Sequence, residues 1–535
     1  MRAADALIEA VADCGVDTVF GVPGGAALPL YDALAASPIR HVLTRHEAAA
    51  GHAAEGWARV TGRAGVALAT SGPGAVNLLT AVADAWMDSV PVVFICGQVA
   101  THLTGTMAFQ ETDVAGMAIP VVKHSGTARH GEDVGAAFDA AFALASGGRP
   151  GPVLLEIPVD VAKAPAAGGA APPARFTRAA RPRSKTVAAA AELIERSDRP
   201  VVLAGGGVVA AGAHEQLAAF TRAANVPYVT TLHGLECGGG RGWLGMPGVY
   251  GTRVGNWALH QADCIVAIGA RFDDRLTGNL DGFARRARVI HVDADASELG
   301  KLVRPEIAIC ADARRTLEAL VGSLGAARDR SAWWASIDEQ LAVDPVLPAP
   351  AHEGEAALDE LNTMLDRDAV ITTDVGLHQM WAAHRISLGG GRRWITSGGA
   401  GTMGFGLPAA IGAQAAASER QVVCVTGDGS LLMHVQELVT AAIEELPVKV
   451  LLLDNQALGM VRAQQDRFYS GAFAADLGAR PDWPALARAC GVGVADSIEE
   501  LLASPGPSLH HVPIAADAEC LPMAAPGTST ATMIG

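Results

Sequence analysis

Along the chain, short uninterrupted apolar runs alternate with stretches whose apolar positions recur at three- and four-residue steps. Val422 to Val425 is such a run and reads as a buried strand; Leu432, Val435, Leu438, Val439 and Ile443 then mark one face of a helix. A second strand, Val448 to Leu453, follows and ends in Asp454-Asn455. The break after the first strand is Thr426-Gly427-Asp428-Gly429-Ser430. Polar oxygens therefore stand at the same end of both strands. In a parallel sheet that end is where ligands bind.

The same plan recurs. Residues 66–97 give a strand to Thr70, a turn Ser71-Gly72-Pro73-Gly74, a helix, and a strand from Pro91; Thr70 to Pro91 is the same interval as Thr426 to Pro447. A looser copy runs from Val201 through Gly205-Gly206-Gly207 and a helix to Val226-Pro227. Strands alternating with helices predict an α/β protein of three doubly wound parallel-sheet domains. Residues 163–185 and 340–354, rich in Pro and Ala without periodicity, read as linkers. They place domains at 1–162, 186–325 and 350–535. After Leu501 no regular pattern is expected.

Composition fits this picture. A chain of 535 residues holds about three domains of roughly 150 residues. Half the residues are hydrophobic, yet no run reaches the ~18 apolar residues of a membrane span. The opening Met1 to Asp5 lacks a signal-type apolar stretch, which predicts a cytoplasmic protein. A formal charge of −16 argues against nucleic acid or an anionic membrane as partner. An anionic ligand would then need local positive charge or a metal. The eight cysteines are scattered, and Cys96, Cys264 and Cys424 sit in strand patterns, as small core residues do.

The Thr426–Asn455 unit carries a specific chemistry. Gly427 and Gly429 let backbone N–H groups face phosphate oxygens at a helix start beside Ser430. Asp428 and Asn455 can supply two oxygens to Mg²⁺, which takes phosphate oxygens for much of the rest. Alternation along the strand puts Leu453 and Asn455 on one face and Asp454 on the other, so only one of the adjacent pair should reach the metal. Taken alone, Gly-Asp-Gly also suits a tight βα turn. Likewise Glu47, after the strand Ile39 to Leu43, also suits a helix start, where a carboxylate complements the dipole.

Taken together, Arg45-His46-Glu47, Thr70 to Gly74 with Asn77, Phe109-Gln110-Glu111, Gly148 to Pro152, Ser397 to Pro408, the 427–460 block and Leu521-Pro522-Met523 resemble, in order, the catalytic subunits of acetohydroxyacid (acetolactate) synthases. The resemblance implies an enzyme dependent on thiamine diphosphate (ThDP) and Mg²⁺, with a structural FAD. Such an enzyme decarboxylates pyruvate and joins the two-carbon unit to a second 2-oxoacid, in branched-chain amino acid biosynthesis. Glu47 would activate the aminopyrimidine from one subunit, its carboxyl pKa raised among Ala48 to Ala50. Asp428, Asn455 and the Ala457 carbonyl would hold Mg²⁺ in the partner, so the site lies at a dimer interface of a homodimer or homotetramer. A small regulatory subunit is a further partner of the type. Gly401 would accept the 4′-amino group and Met403 would bend the cofactor. Pro23, Gly72, Asn77, Gly376, Leu377, His378, Gly427, Gly429, Ser430, Gly459 and Met460 would also line the ThDP site. Phe109, Gln110 and Lys123 would face the reaction, and Arg275 would hold the second substrate's carboxylate. FAD would lie on Gly205, Gly206, Gly207, Gly248, Tyr250, Gly251, Gly269, Arg271, Asp273 and Asp293, with Arg149 reaching over.

Five positions depart from the family pattern: Asp454 for Asn, Leu377 for Gln, Val22 for an aromatic, Val249 for Met and Gln464 for Trp. The last two remove apolar bulk beside the substrate, which predicts a weakened preference for 2-oxobutyrate over pyruvate. The rivals are another ThDP-dependent decarboxylase, carboligase or pyruvate oxidase on the same scaffold, and a cofactor-binding protein without turnover.

Overall fold

The computed structural model describes residues 1–166, 180–478 and 480–535. Three parallel sheets follow one another along the chain. The first holds β1 (Thr18–Gly21), β2 (Arg40–Leu43), β3 (Gly65–Ala69), β4 (Val92–Gln98), β5 (His124–Thr127) and β6 (Val153–Pro158), in the order β2-β1-β3-β4-β6-β5. The second holds β7 (Pro200–Ala204), β8 (Tyr228–Thr230), β9 (Cys264–Ile268), β10 (Arg288–Asp293) and β11 (Ile307–Cys310), in the order β11-β10-β9-β7-β8. The third holds β12 (Val370–Thr373), β13 (Arg393–Ile395), β14 (Val422–Gly427), β15 (Lys449–Asp454), β16 (Gly493–Ala495) and β17 (Ser508–Pro513), in the order β13-β12-β14-β15-β17-β16. The α/β class with three parallel sheets is the one read from the sequence. Of the expected 163–185 linker, residues 167–179 lie outside the described residues.

In each sheet the chain starts on one strand, builds outward on one side, then crosses to the other. The reversal falls between β1 and β3, between β7 and β9, and between β12 and β14. At a reversal the adjoining loops part and leave a crevice at the carboxyl ends. The three Gly-rich turns end β3, β7 and β14, so each borders one of these crevices.

Two sequence expectations are corrected. The tail after Leu501 contributes β17, which lies between β15 and β16 with Leu452 opposite His511 and Val450 opposite Leu509. Of the helix expected over 432–443 only Glu437–Ile443 forms, with a separate short helix, Asp428–Leu431, just before it and turns between the two. The bend between them lets His434 Nδ1 come within 2.8 Å of the Gly404 carbonyl.

First and third units meet through two small-residue helices, Glu47–Thr61 and Gly406–Ala416. His46 Nδ1 accepts the Ala48 N–H at the start of the former, and Gly62, with φ +71, ends it in the left-handed conformation. The backbones nearly touch. A Cβ on Gly412 would stand 1.8 Å from the Ala53 oxygen, and one on Gly56 2.1 Å from that of Ala409. Ala and Gly on this face are thus dictated by helix–helix distance.

Candidate active site

A cavity of about 280 Å³ opens at the reversal point of the third sheet. Its wall is assembled from four chain segments. After β12 come Val375, Gly376, Leu377, His378 and Trp381; after β13, Gly401 and Met403; from β14, Gly427, Asp428, Gly429 and Ser430; from β15 onward, Leu453, Asn455, Ala457, Leu458, Gly459, Met460, Val461 and Gln464. The predicted metal and diphosphate residues are therefore brought together, and Leu377, Met403 and Gln464 share the same wall.

The wall suits a diphosphate bound through a hard cation. His378 is buried and neutral, its pKa pushed down to about 3 by burial, and its Nε2 has no partner among the described residues. A buried ring nitrogen left without a partner is costly unless a ligand takes it. Its ring lies against Gly427, where a Cβ would meet Nδ1 at 2.7 Å, so only glycine fits beside it. Ser430 Oγ donates to the Val375 carbonyl, at 2.9 Å, tying the β14 turn to the β12 turn. Burial and then the neighbouring Asp454 carboxyl push the Asp428 pKa up to about 7. Asn455 and Ala457 line the same wall as Asp428, so a cation there would meet a carboxylate, a side-chain amide and a backbone carbonyl.

Asp454 itself is off the cavity wall, as strand alternation predicts, and is 1% exposed. Its Oδ2 accepts from Trp483 Nε1 at 3.1 Å, lies 2.8 Å from His511 Nε2 and pairs with Arg480 Nε at 2.6 Å. Burial works against its charge, but these partners hold its pKa at about 2. Asp374, which sequence reasoning passed over, sits behind the wall. It accepts from Gly404 N at 2.7 Å and Thr426 Oγ1 at 3.2 Å, while burial lifts its pKa to about 6. Its position after β12 echoes that of Asp428 after β14, a parallel visible in Thr373-Asp374 and Gly427-Asp428.

A second cluster forms at the reversal point of the first sheet. Glu47 Oε2 accepts from Asn77 Nδ2 at 2.9 Å, and a Cβ on Gly74 would lie 3.1 Å from Glu47 Oε1. Gly72 packs on Gln110, whose φ is +62, and Phe109 is 87% exposed. Pro23 is exposed and Val22 half-buried at the end of β1. Ala48 to Ala50 are buried as expected, but this chain covers the Glu47 carboxyl only partly. None of these residues is among those lining the cavity. The single chain thus presents two separate clusters.

Some predicted residues are engaged elsewhere. Lys123, expected to face the reaction, instead donates its ammonium to the carbonyls of Leu144, Gly147 and Arg149, at 2.5, 2.5 and 2.8 Å, which uses all three of its N–H bonds. Arg275 is exposed, pairs with Asp274 at 2.7 Å and is not on the cavity wall. Tyr250 packs with the core of the third unit, and its hydroxyl accepts from Gln464 Nε2 at 3.2 Å at the cavity.

In the middle unit the fit to FAD is incomplete as the chain stands. Gly205, Gly207 and Gly269 pack backbone to backbone between β7 and β9, where a Cβ on Gly205 would meet the Gly269 oxygen at 2.0 Å. Gly248 is pinned by Asn256, and Gly251 packs on it. Gly206 packs on His233. Arg149 pairs with Glu298 at 2.7 Å and Asp295 at 3.4 Å, and Arg271 donates to the Met87 carbonyl. Asp273 caps the short helix Asp274–Thr277, and the Asp293 carboxyl accepts from Asp295 N.

A cavity at a sheet reversal point, lined by glycine turns with Asp428 and Asn455, is where enzymes of this fold class hold phosphorylated cofactors. Family models agree. The thiamine pyrophosphate enzyme N-terminal TPP binding domain matches residues 1–117, the central domain 187–320 and the C-terminal TPP binding domain 374–509. The chain is 44% identical over 559 residues to the acetolactate synthase large subunit of Parasynechococcus marenigrum, covering 99% of this chain and 90% of that one. It is 41% identical over 560 residues to acetolactate synthase isozyme 1 large subunit of Escherichia coli, covering 99% and 97%. To isozyme 2 of that organism it is 42% identical over 550 residues, covering 100% and 99%. The chain belongs to the acetolactate synthase large-subunit family of thiamine pyrophosphate enzymes.

Proposed function

We propose that this chain is the catalytic subunit of an acetolactate synthase that uses ThDP and Mg²⁺ to join two 2-oxoacids, pyruvate being the donor. The observation that carries the reading is the cavity wall that gathers His378, Gly401, Met403, Asp428, Asn455 and Ala457. ThDP supplies an electron sink for losing CO₂ from pyruvate and for joining the remaining two-carbon unit to a second 2-oxoacid. Everything else falls to the chain. Asp428, Asn455 and the Ala457 carbonyl hold Mg²⁺; Gly376, Gly427, Gly429, Ser430 and His378 hold the diphosphate. The Gly401 carbonyl and Met403 orient the aminopyrimidine, and Leu377, Gly459 and Met460 close the wall. Glu47, with Asn77, Gly72 and Pro23, gives and takes the proton at the aminopyrimidine N1′. Phe109 and Gln110 border the reacting side, and Arg275 fixes the carboxylate of the second substrate.

Taken as two halves of one site, the separate clusters favour a homodimer or homotetramer in which Glu47 of one subunit meets the cavity of another. Exposed apolar side chains border both halves: Met107 and Phe109 beside Gln110, and Met433 and Val461 beside the cavity. The units of this reading are 1–162, 186–325 and 350–535. FAD on the middle unit is structural and enters no step, and a small regulatory subunit is an additional partner. Among the described residues no helix is long and apolar enough to cross a membrane, which fits a cytoplasmic enzyme. Purified protein given pyruvate should form acetolactate only with ThDP and Mg²⁺ present. Omitting FAD in one arm and recording the flavin absorbance of the protein as isolated tests the third cofactor. No product in the complete mixture refutes the reading. Oxygen uptake with pyruvate would favour an oxidase.

A further inference from the structure

A buried polar cluster joins the first unit to the third behind the cavity wall. It starts on the helix Leu79–Asp88, where Asp84 and Asp88 stand one turn apart and so share a face. Asp84 Oδ1 accepts from Ser397 Oγ at 2.5 Å and Thr402 Oγ1 at 2.9 Å. Asp88 accepts from the N–H groups of Gly398 and Gly399, at 2.9 and 2.7 Å. The segment 397–402 is thus held by the first unit, and it leads directly to Gly401 and Met403 on the cavity wall. Ser397 Oγ also accepts the Thr402 N–H at 2.9 Å, closing the loop on itself.

Behind Asp84 lie Glu55 and His52, both on the helix Glu47–Thr61 and both 0% exposed. His52 Nδ1 is 3.0 Å from Glu55 Oε1. The His52, Glu55 and Asp84 polar atoms lie within 4.8 Å of one another. Glu55 Oε2 and Asp84 Oδ2 each lack a donor among the described residues. Two enclosed acceptors facing each other repel unless something positive lies between them. The charged or titratable neighbours are Arg59, Asp88, His434 and His46. Arg59 is already paired with Asp88 at 3.1 Å, and Asp88 also lies 2.9 Å from His233 Nε2.

We propose that Glu55 and Asp84 share one buried proton, and that this pair is a positioning device which, through the Ser397 and Thr402 hydroxyls, sets the Gly401–Met403 wall of the cavity. The proton belongs to Glu55. Asp84 receives two hydroxyl donors that stabilise its charge, whereas Glu55 has only a neutral imidazole, and burial followed by Asp84 drives its pKa well above the carboxylate range. Glu55 is then a neutral donor, Asp84 a fixed acceptor, and the loop has one seat. Only the cofactor readout below rests on the cavity's being a ThDP site.

The test has two arms. Infrared difference spectra of wild type against Glu55→Gln, both without cofactor, should show a protonated-carboxyl band, shifted in D₂O, that the variant lacks. Absence of that band overturns the shared proton. So does a stoichiometric divalent metal in the purified wild type that Glu55→Gln loses, because a cation would then occupy the gap. Calorimetric titration with ThDP and Mg²⁺ tests the positioning: Glu55→Ala should weaken binding about tenfold, the cost of a buried unpaired acceptor. Glu55→Gln, whose amide N–H replaces the acid O–H, should restore binding to within about threefold of wild type. Thr402→Val alters neither carboxyl and should also weaken binding, by about threefold or more. Unchanged binding in both Glu55→Ala and Thr402→Val overturns the positioning role. Wild type that binds no ThDP refutes the cavity assignment, while the infrared band still decides the shared proton.

Discussion

Gly412→Ala probes the contact on which the relation of the first and third units depends. The added Cβ would meet the Ala53 oxygen at 1.8 Å, its carbonyl carbon at 2.5 Å and its Cα at 2.8 Å. All three are backbone atoms of a facing helix, so no rotamer relieves the clash. With optimal separations near ~3.5 Å, the two helices must part by about 1.5 Å at this point, enough to forfeit a large share of the dispersion along the seam. Alanine brings about 1 kcal/mol of helix propensity, while overpacking costs about 1–3 kcal/mol and more when backbone must move. Because backbone must move, the cost falls at the upper end or beyond, and after the ~1 kcal/mol propensity gain the expected result is a net loss of about 2 kcal/mol or more. The displaced helix follows directly from the Met403–Phe405 segment, so cofactor binding should weaken as well. Urea unfolding and ThDP titration measure both effects. Gly322→Ala is the control: Gly322 is helical and a Cβ added there would meet nothing within 4 Å, so the substitution should gain up to about 1 kcal/mol. Gly412→Ala as stable as wild type would refute the close-contact argument.

Glu47→Gln should leave ThDP affinity near that of wild type yet reduce acetolactate formation by about 10²-fold or more, the usual scale for a lost proton-transfer group; retained activity would remove Glu47 from the chemistry. Pyruvate competed against 2-oxobutyrate should give a product mixture with little preference for the larger acceptor. Gln464 and Val249 lack the apolar bulk that discriminates by about 1–3 kcal/mol, and a product strongly dominated by acetohydroxybutyrate contradicts this. His52 carries a pH signature. Burial holds its pKa at about 3, below the ~6.5 of the unfolded chain, so the unfolded state takes the proton first as pH falls. Its contribution is complete above about pH 6.5 and is lost on the way down toward about 3, roughly 2 kcal/mol of it by about pH 5. His52→Gln should therefore lose less stability than wild type between about pH 7 and 5 in urea midpoints, and equal slopes would exclude this histidine as a source.

Much of the cavity is legible in the sequence because it is local: the ends of β14 and β15 are apolar runs terminated by Gly-Asp-Gly and Asp-Asn, and sheet topology brings such ends together. The face of Asp454 follows from alternation alone. What escapes is nonlocal. β17 has the pattern Ser508-Leu509-His510-His511, too polar to announce a strand, and exists because β15 and β16 flank it. The hydrophobic steps of 432–443 are helical, yet the chain turns over 432–436, where His434 contacts the Gly404 carbonyl 30 positions away. Ser397 and Asp84 lie 313 positions apart and no spacing rule connects them. Lys123 reads as a reactive cation from its neighbours in the family pattern, but the end of the helix Val134–Ser146 offers its amine three carbonyls.

The first unit faces two ways. Through Asp84 and Asp88 it holds the 397–402 segment of its own chain, and under the function proposed above it lends Glu47 to a neighbour. Injury to it is therefore felt twice, whereas a fault confined to Asp428 is felt once. Two inactive proteins, one lacking Glu47 and the other Asp428, would regain turnover when unfolded and reassembled together, since half of the sites in each hybrid would inherit two sound parts.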